Sequence, residues 1–201
     1  KALAWRRLPL SLPPEWSLVV APASGALLPL AFAPFDFWPM ALLSPAALFL
    51  ALQSAPPARA ALLGWLFGLG YFGAGVSWVF VSIHVHGPAP TWLAAFLTAL
   101  FVAGIALFTT LPCWLAVRLW NSAMSGAARP NAARPDADSL AGRLGVFMAR
   151  WVLGEWFRTW FLSGFPWLLL GNAMLDTPLA GYAPLGGVYL VSLAVLATMA
   201  V

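Results

Sequence analysis

From Ala60 to Val117 the chain carries no Asp, Glu, Lys or Arg. A run that long without formal charge exceeds the needs of one membrane crossing, about 20 residues of helix for about 30 Å of hydrocarbon. It has to be divided, and its one turn-like cluster is His84-Val85-His86-Gly87-Pro88-Ala89-Pro90. The division predicts a span over 60–83 and another over 91–117. Charge-free gaps on either side predict further spans. Glu15 and Asp36 bracket one over 16–35, which contains Pro22, Gly25 and Pro29, and Asp36 and Arg59 bracket one over 37–53, which contains Pro39 and Pro45. These first two helices are expected to be short and kinked. Two more are expected over 144–162 and 184–201. The fold class predicted is all-α integral membrane: a polytopic helical bundle of about six spans.

Composition agrees, because 62% of the 201 residues are hydrophobic and 8% are charged, more apolar surface than a water-soluble core of this size can hide. A cleaved leader accounts for one apolar segment, whereas here they recur to Val201. The single Cys113 rules out a disulfide framework. Between Asn121 and Gly142 the composition shifts to Ala, Arg, Pro, Asp and Ser, which predicts a loop over 118–143.

Short cytoplasmic loops collect Lys and Arg. With the N-terminus cytoplasmic, Lys1, Arg6, Arg7, Arg59, Arg118, Arg129, Arg134, Arg143 and Arg150 fall on or at the edge of the inner side, and Asp36, His84, His86 and Asp176 outside; Arg158 alone departs. The net charge of +4 is thereby read as topology and lipid-head contact, with no nucleic-acid partner.

Gly64 and Gly68 have the spacing of small residues at a helix contact, read as packing inside one bundle. His84 and His86, two apart, face different sides of a helix and lack a neighbouring acidic or thiol ligand, so no metal site is expected. Cys113 has no base near it in sequence and is read as inert. In the fifth span Trp151, Glu155, Arg158 and Leu162 share one face, so Glu155 and Arg158 can pair at i, i+3 on a surface turned away from lipid. Either the pair serves function or it locks helix packing. Gly164 is expected to end that helix and Phe165-Pro166 to force extended backbone. The segment 163–183, with Gly171-Asn172, Asp176-Thr177-Pro178 and Gly181, is predicted to lie along the outer membrane surface, as a groove for lipid tails or as a connector.

Four blocks carry a resemblance. Ala33-Pro34-Phe35-Asp36-Phe37-Trp38-Pro39, Ser77-Trp78-Val79-Phe80-Val81-Ser82-Ile83-His84, Glu155-Trp156-x-Arg158 with Gly164-Phe165-Pro166-Trp167, and the run from Pro178 to Val188 together resemble the membrane domain of bacterial apolipoprotein N-acyltransferases. The resemblance covers nearly the whole chain except the loop; at His86-Gly87-Pro88 the family more often shows an aromatic residue and Gly.

The resemblance implies a multi-pass inner-membrane enzyme of Gram-negative-type bacteria. It would transfer an acyl chain from a phospholipid of phosphatidylethanolamine type to the α-amino group of S-diacylglyceryl-cysteine in a diacylated lipoprotein. Catalysis would run by ping-pong through a thioester acyl-enzyme, on a Glu, a Lys and a Cys in a periplasmic nitrilase-like domain, without a cofactor. None of those residues maps onto this chain, which is expected to be a fragment comprising the N-terminal transmembrane domain, monomeric and inactive alone. The residues expected to line substrate are Glu155, Arg158, Phe165, Pro166, Trp167 and His84. A non-catalytic membrane partner, like the related partner domains of actinobacterial polyprenyl-phosphate-mannose synthases, and a transporter-like bundle are the alternatives.

Overall fold

The computed structural model describes residues 12–126 and 140–200, and these are helical with no strand among them. Lys1, Arg6, Arg7, Arg129 and Arg134 of the charge pattern lie outside the described residues. Helix α1 spans Pro14–Leu27 and continues as a 3₁₀ turn over Leu28–Ala31; α2 spans Pro39–Leu52, α3 Pro57–Gly75, α4 Trp78–Val81, α5 Thr91–Ile105, α6 Leu107–Gly126, α7 Leu140–Arg158 and α8 Ala183–Ala197. Proline opens many of them. Pro14, Pro39, Pro57 and Pro184 sit in first turns, where the missing N–H has no partner to lose and φ is already helical.

By length and composition, Thr91–Ser122 and Pro178–Ala197 can each cross a bilayer. A third crossing is made if the bent pair Pro57–Gly75 and Trp78–His86 counts as one span. The break in that pair is a departure from expectation: the predicted span 60–83 bends by 54° after Gly75. At the break the Val76 N–H still reaches the Phe72 carbonyl, but Val76 itself has left the helical region (φ −120°, ψ 24°). Beyond it the chain forms α4 and then a π-helical turn over Ser82–His86. The predicted loop 118–143 is also narrower, since α6 runs on to Gly126 and α7 begins at Leu140.

Helices α1, α3 and α6 form a close-packed stack held by small residues. Gly25 of α1 lies against the backbone of Phe67 and Tyr71, and Gly70 of α3 against Pro22 and Ala26, so a Cβ at either would collide with main chain. On the opposite side of α3, Gly64 and Gly68 take in Thr109 and Cys113 of α6 and Ala106, which joins α5 to α6. The Thr109 hydroxyl, 2.7 Å from the Gly64 carbonyl, donates across this contact. The Gly64/Gly68 spacing therefore serves packing inside the bundle. Ser44 of α2 donates to the Ser24 carbonyl of α1 at 2.7 Å, and Arg59 of α3 donates to the Pro14 carbonyl at the other end of α1. The core between these helices is aromatic, with Phe49, Phe67, Tyr71, Phe72, Phe147 and Trp151 in mutual ring contact. Outside it, Trp16, Val19, Leu43, Leu62, Trp92, Phe96, Leu100 and Leu107 are all exposed. A belt of that size has hydrocarbon as its solvent.

Candidate functional site

Helix α7 turns Trp151, Glu155 and Arg158 inward on one face, and all three are buried. Spacing of four and three residues puts them in one stripe, and a charged group at this depth needs partners. Glu155 and Arg158 make no direct hydrogen bond or close ion pair, although each feels the other's charge: among the described residues each bonds the backbone of the segment that follows the helix. The Glu155 Oε1 atom accepts from the Leu170 N–H at 2.7 Å and from the Trp151 indole N–H at 3.1 Å. The Arg158 guanidinium donates to the carbonyls of Phe165 (3.3 Å), Trp167 and Leu168 (3.1 Å), and lies 5.1 Å from the centre of the Phe72 ring. The Tyr71 hydroxyl, arriving from α3, donates to the same Leu168 carbonyl at 2.6 Å.

These bonds answer a problem of backbone chemistry. Helix α7 stops at Arg158, four residues before the predicted end at Leu162. The chain then reverses through Leu162, Ser163 and Gly164, all at positive φ (50°, 78° and 80°). Two of these are not glycine, and Leu168 follows at φ 57°; such conformations persist only where surrounding contacts over-determine them. The Phe165 N–H bonds back to the Arg158 carbonyl at 2.8 Å, closing the reversal. Carbonyls 165, 167 and 168 have no helix or sheet to accept from and, in an apolar surrounding, would each cost several kcal/mol if left unpaired. Arg158, Tyr71 and Glu155 supply what regular structure does not. Further along, the Gly171 N–H donates to the Ser192 hydroxyl of α8 at 2.8 Å, and Thr159 and Tyr189 share a hydroxyl contact of 2.8 Å.

Above this clamp the surface is apolar. Pro166 and Trp167 are exposed, and Trp167 contacts Phe165 and, across the gap, Trp78 of α4. Leu162, Leu175 and Leu185 are also largely exposed. Beside the clamp an open apolar groove of about 760 Å³ runs between α5–α6 and α7, from Leu115 and Arg150 at one end to Phe161, Leu162 and Phe165 at the other. The structure thus gathers Glu155, Arg158, Phe165, Pro166 and Trp167 around one turn. His84 stands apart in the π-helical turn, its Nδ1 2.8 Å from the Ala89 carbonyl, its ring against Phe80, and it is not a residue of the groove wall. Cys113 is buried where α6 meets Gly64. Tyr71 and Ser192 were missed from sequence: each is a hydroxyl within a span, and their partners lie 97 and 21 residues away.

A family model described as the apolipoprotein N-acyltransferase N-terminal domain matches residues 24–201. The chain belongs to this family. Curated apolipoprotein N-acyltransferases similar to it include those of Pseudomonas syringae pv. tomato, 50% identical over 182 residues (90% of this chain, 33% of that protein), and Pseudomonas putida, 47% over 188 residues (93% and 34%). Another, from Methylococcus capsulatus, is 46% identical over 173 residues (86% and 31%). The chain therefore spans about a third of the length of the apolipoprotein N-acyltransferases it matches.

Proposed function

We propose that this chain is the membrane portion of an enzyme that moves an acyl chain from a phospholipid, phosphatidylethanolamine in type, to the N-terminal amine of S-diacylglyceryl-cysteine in bacterial lipoproteins. The observation that carries this reading is the family match over residues 24–201. The chemistry is assigned to a nitrilase-like periplasmic domain elsewhere in the whole protein, acting through a thioester. No residue of the present chain is given a catalytic role. Glu155 and Arg158 are positioning residues: they hold the turn whose outer surface, Phe165, Pro166 and Trp167, forms the floor beneath the acyl donor and the diacylated acceptor. His84, in the turn that follows α4, is assigned to the outer edge of this rim, apart from the groove wall; Trp78 at the start of α4 meets Trp167.

In this reading the chain makes six crossings of the inner membrane from a cytoplasmic N-terminus, with 118–143 cytoplasmic and 163–183 lying along the periplasmic surface. The whole protein acts as a monomer and needs no cofactor. Supplying the full-length protein with S-diacylglyceryl peptide and phosphatidylethanolamine should yield N-acylated peptide, and residues 1–201 alone should yield none. Product from residues 1–201, or none from the full-length protein, would contradict the proposal. Cysteines placed at Asp36 and Asp176 should react with an impermeant thiol reagent from the periplasm and one at Arg59 should not; the reverse pattern would invert the topology.

A further inference from the structure

Arg150 is the odd residue in the wall of the groove between α5–α6 and α7. The wall holds one other charged residue, Arg158, whose guanidinium is taken up by three carbonyls, and is otherwise apolar, with Leu111, Pro112, Leu115, Leu153 and Phe157 around Arg150. Arg150 lies eight residues before Arg158 on α7, about 12 Å of helix nearer its N-terminal end, and is half-buried where Arg158 is buried. Its guanidinium makes no hydrogen bond, ion pair or ring contact with the described residues. Arg158, on the same helix, has three carbonyls and an aromatic face. An arginine inside a span costs roughly 2.5–3.5 kcal/mol even when partly relieved, and such residues stand where they meet an opposite charge or water. A helical side chain also leans toward its helix N-terminus, so Arg150 reaches toward the Arg143 end of α7.

We infer that the groove is a binding site for one membrane phospholipid, its phosphate on Arg150 and one acyl chain running along the groove toward Phe161 and Phe165. A planar guanidinium matches a phosphate in a bidentate fashion. Beyond it Leu153, Gly154, Phe157 and Phe161 line the path and Arg158 is already engaged by carbonyls, so that stretch suits an acyl chain. Gly104 supports the assignment from the opposite wall: a Cβ there would meet no atom within 4 Å, so the missing side chain leaves open space in the groove itself. The lipid belongs to the leaflet on the Arg143 side, the cytoplasmic one in the topology proposed above. The inference rests on the chain lying in a bilayer and not on the acyl-transfer reading.

The test is native mass spectrometry of the full-length protein after exchange into detergent with phosphatidylglycerol, with diacylglycerol of the same chains, or with palmitate. The wild type should retain phosphatidylglycerol about tenfold better than diacylglycerol, the weight of one charge-assisted contact. Arg150→Gln should bring phosphatidylglycerol down to the diacylglycerol level, with Arg150→Lys in between. Gly104→Leu, whose Cβ meets no protein atom within 4 Å, should lower retention of both lipids. Unchanged phosphatidylglycerol retention in Arg150→Gln and Gly104→Leu would overturn the inference. So would palmitate held as well as phosphatidylglycerol, since the groove would then select any anionic chain.

Discussion

Helix α3 takes part in two contacts of opposite kind. Along most of its length it meets α1 and α6 through glycines, at Gly64, Gly68 and Gly70, and what holds the helices together there is the absence of atoms. At its far end Tyr71 and Phe72 meet the turn after α7, and what holds that contact is the presence of polar atoms from Arg158, Glu155 and Tyr71. The difference follows from the backbone being packed. Regular helices satisfy their own N–H and C=O groups, so close approach is all that is required of a partner. The 159–170 segment is irregular, so its partners must bring hydrogen bonds into an apolar surrounding. At Glu155 and Arg158, buried charge marks where the chain stops being a helix.

Substitutions can break that contrast, and the largest effect is expected at Arg158. Arg158→Ala leaves the Phe165 and Trp167 carbonyls without donors and the Leu168 carbonyl with Tyr71 alone, and should destabilise the full-length protein by about 2–6 kcal/mol, at about 1–3 kcal/mol for each buried acceptor left unpaired. Thermal unfolding in detergent measures it; an effect no larger than that of a lipid-facing Leu43→Ala would deny the clamp its role. Next is the glycine stack, where Gly68→Val drives a side chain into Ala106 and Thr109. Overpacking of this kind should cost about 1–3 kcal/mol, and disulfide trapping between cysteines on α3 and α6 should report a wider gap while the 165–170 turn keeps its exchange protection. Loss of protection at that turn would mean the two regions are not separate.

Smaller again is Tyr71→Phe, which removes one bond to a carbonyl that Arg158 still serves; about 0.5–1.5 kcal/mol is expected, together with faster amide exchange near Leu168. Glu155→Gln should be the mildest for stability, because an amide oxygen can still accept from Leu170 and Trp151. In the full-length enzyme it should lower N-acylation more than protein level, through the orientation of the turn. Equal loss of both would make Glu155 structural only.

Much of this was legible in the sequence, for identifiable reasons. Charge-free lengths and turn residues marked the helical segments, since both are local. The shared face of Trp151, Glu155 and Arg158 was legible because helical periodicity places it. What Glu155 and Arg158 bind was not, because i, i+3 spacing suggests that they partner each other while, apart from the Trp151 indole, their hydrogen-bond partners are backbone groups of residues 165–170. The end of α7 at Arg158 was hidden for the same reason: Leu162 and Ser163 carry no sign of positive φ, which tertiary contacts impose. The bend after Gly75 lacks a proline to announce it.

The central claim is that Glu155 and Arg158 serve the backbone of the turn and not each other. A charge swap tests it directly, by thermal unfolding and N-acylation of the full-length protein carrying Glu155→Arg and Arg158→Glu together, set against each single change. A carboxyl group facing carbonyls and a guanidinium facing the Leu170 N–H are both mismatched, so the double variant should be at least as unstable and inactive as the worse single one. Recovery of stability and activity in the double variant would show an ion pair and contradict the account.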